Sequence, residues 1–454
     1  MKERNKNRLG YKKTKAGWIP EDWGFNKLAA LDIAVEDGDR GHHYPKQSEF
    51  LESGYCLFLN AGNVTDRGFV FTKTQFINKE RDRLLKKGKL KRGDIVITTR
   101  GTIGNFSHYD TSISFDHVRI NSGMAIIRNG GDNISTGFLN LFFTSSAFRK
   151  ELCRLTFGSA VPQLTIQLIN SFPLVVPPSL PEQEAIAEVL ECWDRGIKNY
   201  ELKIVKKKEV KKGLMQRLLN GKQRLPEFAT TECTEEHGKK KDGIPKGWKE
   251  VRLGEIGTFS KGKGIAKDQV SETGLPCIRY GQIYTSDDYV KKQFTSFIKL
   301  ALTPESTRIR QNDLLLAGSG ETIDEIGKSI AYMGTDEAYA GGDIIVFTPD
   351  KSTARADYLS FYLNTEGRSA LRRLGQGQSV VHIYARDLVA LFLPLPSLSE
   401  QQAIATVLSS ADDEITALER KLTALRDQKR FLLNNMVTGT IRLPQFVNTK
   451  ESNS

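Results

Sequence analysis

Arginine, lysine, asparagine and glutamine held in loops can donate hydrogen bonds to phosphates or to the edges of bases. In this 454-residue sequence such residues gather in two glycine-punctuated regions. The first supplies Asn63, Arg67, Thr99, Arg100, His117, Arg119 and Gln163. The second supplies Lys261, Lys263, Arg279, Tyr280, Gln282, Ser319, His382 and Tyr384. The segment Thr98 to Gly104, TTRGTIG, stands out. Its two glycines allow close backbone approach, and Arg100 can fork onto a guanine edge or a phosphate. For each residue taken singly, the competing reading is an ordinary solvated side chain. The charge balance favours a polyanionic partner: 66 Lys and Arg stand against 54 Asp and Glu, a net charge of +12. Six lysines crowd between Lys203 and Lys212, which is either a solvated helix face or a support beside phosphates.

Catalytic signatures are missing. Gly320 with Gly327, Lys328 and Ser329 is the nearest approach to a phosphate loop, and its glycines are spaced too widely. There is no NPPY, DPPY, HExxH or GxSxG sequence, and adjacent His42 and His43 tend to diverge. We therefore expect no catalytic residue, metal or cofactor in this chain. The five cysteines are scattered and never form a CxxC pair, which fits a reducing cytoplasm. No apolar run approaches the ~18 residues of a membrane span, and no apolar stretch follows the basic N-terminus. A cytoplasmic protein without a membrane partner is expected.

The loops must be carried by folded elements. Residues 18–175 and 244–393 alternate short β-rich runs with Gly and Asn/Asp turns: CLFLN, DIVITT and MAIIR in one, LPCIRYG, DLLLAG and DIIVFT in the other. Helical stretches lie near Phe138 to Leu152 and Asp357 to Leu374. Both regions read as α+β.

The chain also repeats itself. Residues 180–228 align without a gap onto 398–446, with roughly 19 of about 49 positions identical. LPEQEAIAEVL matches LSEQQAIATVL, Gly221 matches Gly439, and RLPEF matches RLPQF. Upstream, IPEDW matches IPKGW, GDIVITTRGTIG resembles NDLLLAGSGETI, and GSAVPQL resembles GQSVVHI. The expected organisation is a basic stub at 1–17, a variable domain at 18–175, a repeated segment at 176–228, and a polar linker at 229–243. A second variable domain follows at 244–393, then a repeated segment at 394–446 and a tail at 447–454.

Each repeated segment predicts a helix of about 37–39 residues, roughly 55–60 Å long. Leu190, Trp193, Ile197, Tyr200 and Ile204 recur in steps of three and four, the seam of a coiled coil. Leu408, Ile415, Leu418, Leu422 and Leu425 keep the same phase in the second copy. Lys207, Lys211 and Lys429 interrupt the seams. A lone helix cannot bury such a stripe, so each needs a partner: the other copy, or its own globular domain. Antiparallel pairing with pseudo-twofold symmetry suits the connectivity, because the chain reads as a two-unit ring cut at one of two equivalent linkers.

Two variable domains, two repeated helices, LPEQEAIAEVL and RLPEF together resemble the specificity subunit of type I restriction-modification systems over nearly the whole chain. The resemblance implies two tandem target recognition domains, each reading one half of a bipartite, asymmetric site in double-stranded DNA. It implies that the helices set the unread spacer and dock two modification subunits. Those partners would carry S-adenosylmethionine and adenine N6-methylation, and restriction subunits would add ATP- and Mg-dependent translocation and cleavage. Glu182, Gln183, Ala185 and Ile186, with Glu400, Gln401, Ala403 and Ile404, match the family's repeated regions, which serve helix pairing and subunit docking. The alternatives are a specificity chain of a type IIB-like system, a coiled-coil scaffold for protein-binding domains, and, least of all, a self-sufficient methyltransferase.

Overall fold

The computed structural model describes residues 10–65, 68–156, 163–229, 244–286, 288–377 and 380–447. It divides into two compact units: the described parts of Met1–Tyr200 with Lys421–Ser454, and Glu201–Arg420. The division falls inside both long helices. Each unit therefore owns one α+β head, the first half of the helix that follows it, and the last half of the other helix.

The heads share one plan. In the first, antiparallel strands lie in the order Phe106–His108, Ile95–Thr98, Met124–Asn129, Ile33–Asp37. In the second the matching order is Ser329–Tyr332, Asp313–Ala317, Ile344–Pro349, Gly257–Lys261, with Val290–Lys291 added parallel to Ser329–Tyr332. A smaller sheet packs against each. Val118–Ile120 runs parallel to Cys56–Leu59, and Ala338–Ala340 runs parallel to Leu275–Ile278. The inner main-sheet strands Ile95–Thr98 and Asp313–Ala317 are buried on both faces. Ile95 and Ile97 join the core that faces the helices, while Val96 joins the core that faces the small sheet. Leu314 and Leu316 against Leu315 repeat this split. Side chains alternate faces along a strand, so a strand buried twice reads as an unbroken apolar run.

The two helical stretches expected from sequence are each broken in two: Thr136–Thr144 and Ser146–Thr156, then Ala356–Leu363 and Arg368–Arg373. At the first break Ser145 is fully buried; its hydroxyl donates to the Phe142 carbonyl at 2.6 Å and accepts from the Phe148 N–H at 3.3 Å. A short side chain that satisfies backbone groups locally can replace a turn of helix.

The central helix spans Leu180–Leu218 and the C-terminal helix Leu398–Met436, 39 residues each. They pair antiparallel within each unit. Lys207, Lys208 and Lys211 meet Glu414, Glu419 and Asp412 at 2.7, 2.8 and 2.5 Å in the second unit. Lys429 meets Asp194 at 2.5 Å in the first, and the Lys421 ammonium lies 5.3 Å from the Tyr200 ring centre. The lysines that interrupt the apolar seams are thus ion-pair partners across the helix pair. Leu190, Ile204, Leu408, Ile415, Leu418 and Leu422 are buried, while Trp193, Ile197, Tyr200 and Leu425 are half-buried. Pairing does not exclude packing on the heads: Ile186 and Leu190 belong to the first head's core, and Ile404 and Leu408 to the second's.

The repeated Glu-Gln pair anchors each helix start. Glu182 is 1% exposed and takes both Nε and Nη2 of Arg442 at 2.9 and 3.0 Å. Glu400, equally buried, takes the same two atoms of Arg224 at 2.8 and 2.6 Å. Gln183 accepts from the Ser135 N–H and donates to the carbonyls of Asn133 and Pro177; Gln401 accepts from Arg355 and donates to Thr353 and Pro396. The two glutamates thus tie the start of each long helix to the segment that follows the other, while the two glutamines bind backbone of the head beside their own helix. A buried carboxylate needs such a bidentate cation, because desolvating it alone is expensive.

The helix-ending glycines are equally constrained. Gly221 and Gly439 both have φ +67°, and a Cβ there would lie 2.3 Å from Pro245 and 2.4 Å from Pro20. IPKGW and IPEDW therefore seat against the ends of the long helices, each adjacent to the RLPxF arginine: Arg224 donates to the Lys246 carbonyl, and Arg442 pairs with Asp22.

Candidate nucleic-acid interface

The loops rich in candidate donors leave the strands on one edge of each head. In the first head, Thr99 N–H donates to Gly123 O at 2.8 Å, and Leu164 N–H donates to Thr99 O at 3.0 Å. In the second, Gly318 N–H donates to Asp343 O at 2.8 Å, and Ile383 N–H donates to Gly318 O at 2.9 Å. Gly104 and Gly327 close the two loops with N–H bonds to Thr98 O and Ala317 O. The frames match bond for bond, and the second loop is longer between its closing bonds. This frame pairs Arg100 with Ser319, Gln163 with His382, and Thr165 with Tyr384.

The structure brings several candidates together. Thr99, Arg100 and Gln163 share the first frame; Arg100 is exposed and forms no ion pair among the described residues. The Thr99 hydroxyl, in a residue 4% exposed, has no hydrogen-bond partner among the described residues. In the second head Lys261, Ser319, His382 and Tyr384 line one pocket of about 220 Å³ with Phe259, Ile345 and Ile383. Lys263 is exposed close by in sequence. Arg279 and Tyr280 are half-buried at the start of the short helix Tyr280–Tyr284. Arg67 lies outside the described residues.

Three candidates are committed elsewhere. Arg119 was expected to face DNA, but it is 4% exposed and its guanidinium binds Asp82 and the carbonyls of Asp82, Leu85 and Lys87. Burial alone would raise the Asp82 pKa; the hydrogen bonds from Lys89 and Arg119 outweigh it and hold the carboxyl below its usual 3.8. Asn63 is 2% exposed; it accepts from the Asn60 N–H and donates to Val70 O and Lys73 O. Gln282 does the equivalent work, accepting from the Arg279 N–H and donating to Ser296 Oγ. A side-chain amide that reaches back three residues caps a turn and is consumed by it. His117, half-buried, stacks on Tyr55 with ring centres 4.2 Å apart.

Two cations at the loop edge were missed in the sequence. Arg40 donates to Ser122 O at 3.3 Å, and the Arg386 guanidinium lies 4.9 Å from the Tyr384 ring centre. Beside Arg40, Asp39 accepts backbone N–H bonds from Gly41, Lys86 and Lys87. Burial pushes its pKa up, but those bonds prevail and hold it below 3.8. No group of three or more metal-ligating side chains occurs among the described residues, nor does any helix long and apolar enough to cross a membrane.

Comparison with known proteins agrees with this architecture. The family model described as type I restriction modification DNA specificity domain matches twice, at residues 20–207 and 245–425. The putative type I restriction enzyme MjaX specificity subunit of Methanocaldococcus jannaschii is 24% identical over 448 residues, covering 95% of this chain and 97% of that protein. The EcoKI specificity subunit of Escherichia coli is 24% identical over 210 residues, 44% of each chain. A crystal structure of a type I restriction-modification S subunit from M. genitalium superposes with a TM-score of 0.54 at 14% identity, over 91% of this chain and 96% of that one. A chain from a structure of type I system assembly and conformational transition gives a TM-score of 0.55 at 18% identity, over 93% and 99%. At those identities the structures speak for the fold; the doubled family match, over most of the chain, places this protein in the type I restriction-modification DNA specificity family, as a recognition subunit rather than a catalytic one.

Proposed function

We propose that each head reads one half of a bipartite, asymmetric site in double-stranded DNA. In this reading the paired helices set the unread spacer and dock two modification subunits. Those subunits hold S-adenosylmethionine and methylate adenine; restriction subunits with ATP and Mg complete the system. The observation that carries this is the contrast at the loop edge: one backbone frame, used twice, with different side chains mounted on it. Two identical readers would demand a palindrome; two dissimilar readers in one chain do not. Major-groove discrimination needs only a few donors per half-site, and the net charge of +12 suits salt-dependent phosphate contacts. The test is an exchange of residues 18–175 for the same region of a relative, followed by mapping of methylated sites across a genome. One half-site should change while the other half and the spacer stay constant. A change in both halves, or in the spacer with the helices untouched, would refute the division of labour.

A further inference from the structure

We propose that Ser319 and His382 are the specificity-determining pair of the second head, with Lys261 beside them, and that together they read the acceptor edge of a guanine in the major groove. This rests on the reading that the head binds duplex DNA.

Ser319 and His382 are direct partners in a short antiparallel pairing. The Ser319 hydroxyl lies 2.9 Å from Nδ1 of His382. Ser319 is 5% exposed, so water hardly competes for that bond. The imidazole is only half-buried, and its Nε2 bonds to nothing among the described residues. One ring nitrogen is therefore fixed from within and the other is left to face outward. Tyr384 stacks on the same ring at 6.2 Å and 25°, and the Arg386 guanidinium caps the column at 4.9 Å from the Tyr384 centre. The ring is held by a hydrogen bond on one side and an aromatic face on the other. The pocket it borders has room for an inserted group, an apolar wall, and Lys261 in its lining.

The tautomer decides what such a ring can read. If the Ser319 hydroxyl donates to Nδ1, the proton sits on Nε2 and the ring presents a donor; the reverse bond leaves Nε2 an acceptor. Lys261 has no ion-pair partner among the described residues and can only donate. With the Ser319 hydroxyl donating to Nδ1, the Nε2–H of His382 is a second donor beside it. Guanine is the base that offers two acceptors, N7 and O6, side by side in the major groove.

The first head supports this by contrast. On its matching frame the same two positions carry Arg100 and Gln163. The backbone bonds are kept and the base-reading chemistry is exchanged, as expected of positions that set half-site identity.

The experiment uses the full chain assembled with its modification subunits. His382→Ala, His382→Gln, Ser319→Ala, Ser319→Thr and Lys261→Ala are each assayed for methylation of duplexes carrying every base at every position of the site. Alanine at 382 should reduce discrimination at one G·C pair of a single half-site by about 5- to 100-fold. Ser319→Ala and Lys261→Ala should relax the same pair less. Ser319→Thr, which keeps the hydroxyl, should retain the wild-type preference, a pattern that mere stabilisation of the loop would not produce. If His382→Ala fails to assemble, His382→Gln and Ser319→Ala carry the test. Unchanged preference in assembled His382 and Ser319 variants, relaxation in both half-sites, or relaxation confined to an A·T pair would overturn the proposal. If exchange of residues 244–393 leaves the site unaltered, the DNA-reading assignment of the head fails instead.

Discussion

Gly93 in the first head and Asn312 in the second occupy the same turn, with φ of +92° and +74°. An aspartate follows each, and each accepts an N–H from three residues earlier, Lys91 for Asp94 and Arg310 for Asp313. There the likeness ends. Asp94 is gripped by Arg128 at 2.6 Å, whereas Asp313 meets the Thr348 hydroxyl at 2.7 Å. Burial therefore pushes the Asp313 pKa up, and its hydrogen bonds and the charges of Arg310 and Lys351 only partly offset this. The two heads show which features a repeat must keep. Backbone turns and the bonds that close them persist because every strand depends on them. The partner of a buried charge can drift, and surface side chains can change freely.

That comparison can be broken most forcefully at the helix clamps. Arg442→Ala strands Glu182, and Arg224→Ala strands Glu400, each as an uncompensated buried carboxylate. Each substitution should cost about 3–5 kcal/mol of its unit's stability in urea unfolding. A large effect in one unit and none in the other would show that the two copies are not energetically equivalent. The glycines that close the two matching loops, Gly104 and Gly327, are expected to differ. Gly327→Ala, at φ +64° with Leu371 at ordinary contact, should cost about 1–2 kcal/mol from the left-handed backbone alone. Gly104→Ala, at φ +81°, drives a Cβ to 2.1 Å from a Leu152 methyl and should cost a further ~1–3 kcal/mol. Equal effects at the two positions would mean that Leu152 yields freely.

The smallest expected effect is with pH. Asp82 is held below 3.8 in the folded chain, so its contribution is present above that pH and fades as pH falls further. Asp313 is held above 3.8, so the folded state takes up its proton first, and stability falls as pH rises through the raised value. Acidification from neutrality should thus relieve the second head before it weakens the first. Asp313→Asn should remove that relief, as read from unfolding midpoints between pH 7 and 4; an unchanged pH profile would contradict the assignment.

Much of the frame was legible. The match of GDIVITTRGTIG to NDLLLAGSGETI places Thr99 on Gly318 and Arg100 on Ser319, as the backbone bonds do. GSAVPQL and GQSVVHI likewise place Gln163 on His382. Asn63 and Gln282 stand in the sequence as candidate donors, whereas in the fold each caps a turn, because an amide that caps and an amide that reads have the same letters. The arginines of RLPEF and RLPQF were visible as repeats, yet nothing along the chain points Arg442 to Glu182, 260 residues away.

By itself the sequence determined the period of the seams, the duplication, the two α+β heads and the loops that carry donors. These follow from local spacing and from self-similarity, which are properties of one dimension. Tertiary structure alone decided that Arg119, Asn63 and Gln282 are spent inside the protein, that Glu182 and Glu400 bind arginines near the far ends of the opposite helices, and that Ser319 faces His382. A polar side chain's role depends on which partner desolvates with it, and that partner is chosen by packing between segments far apart in the chain.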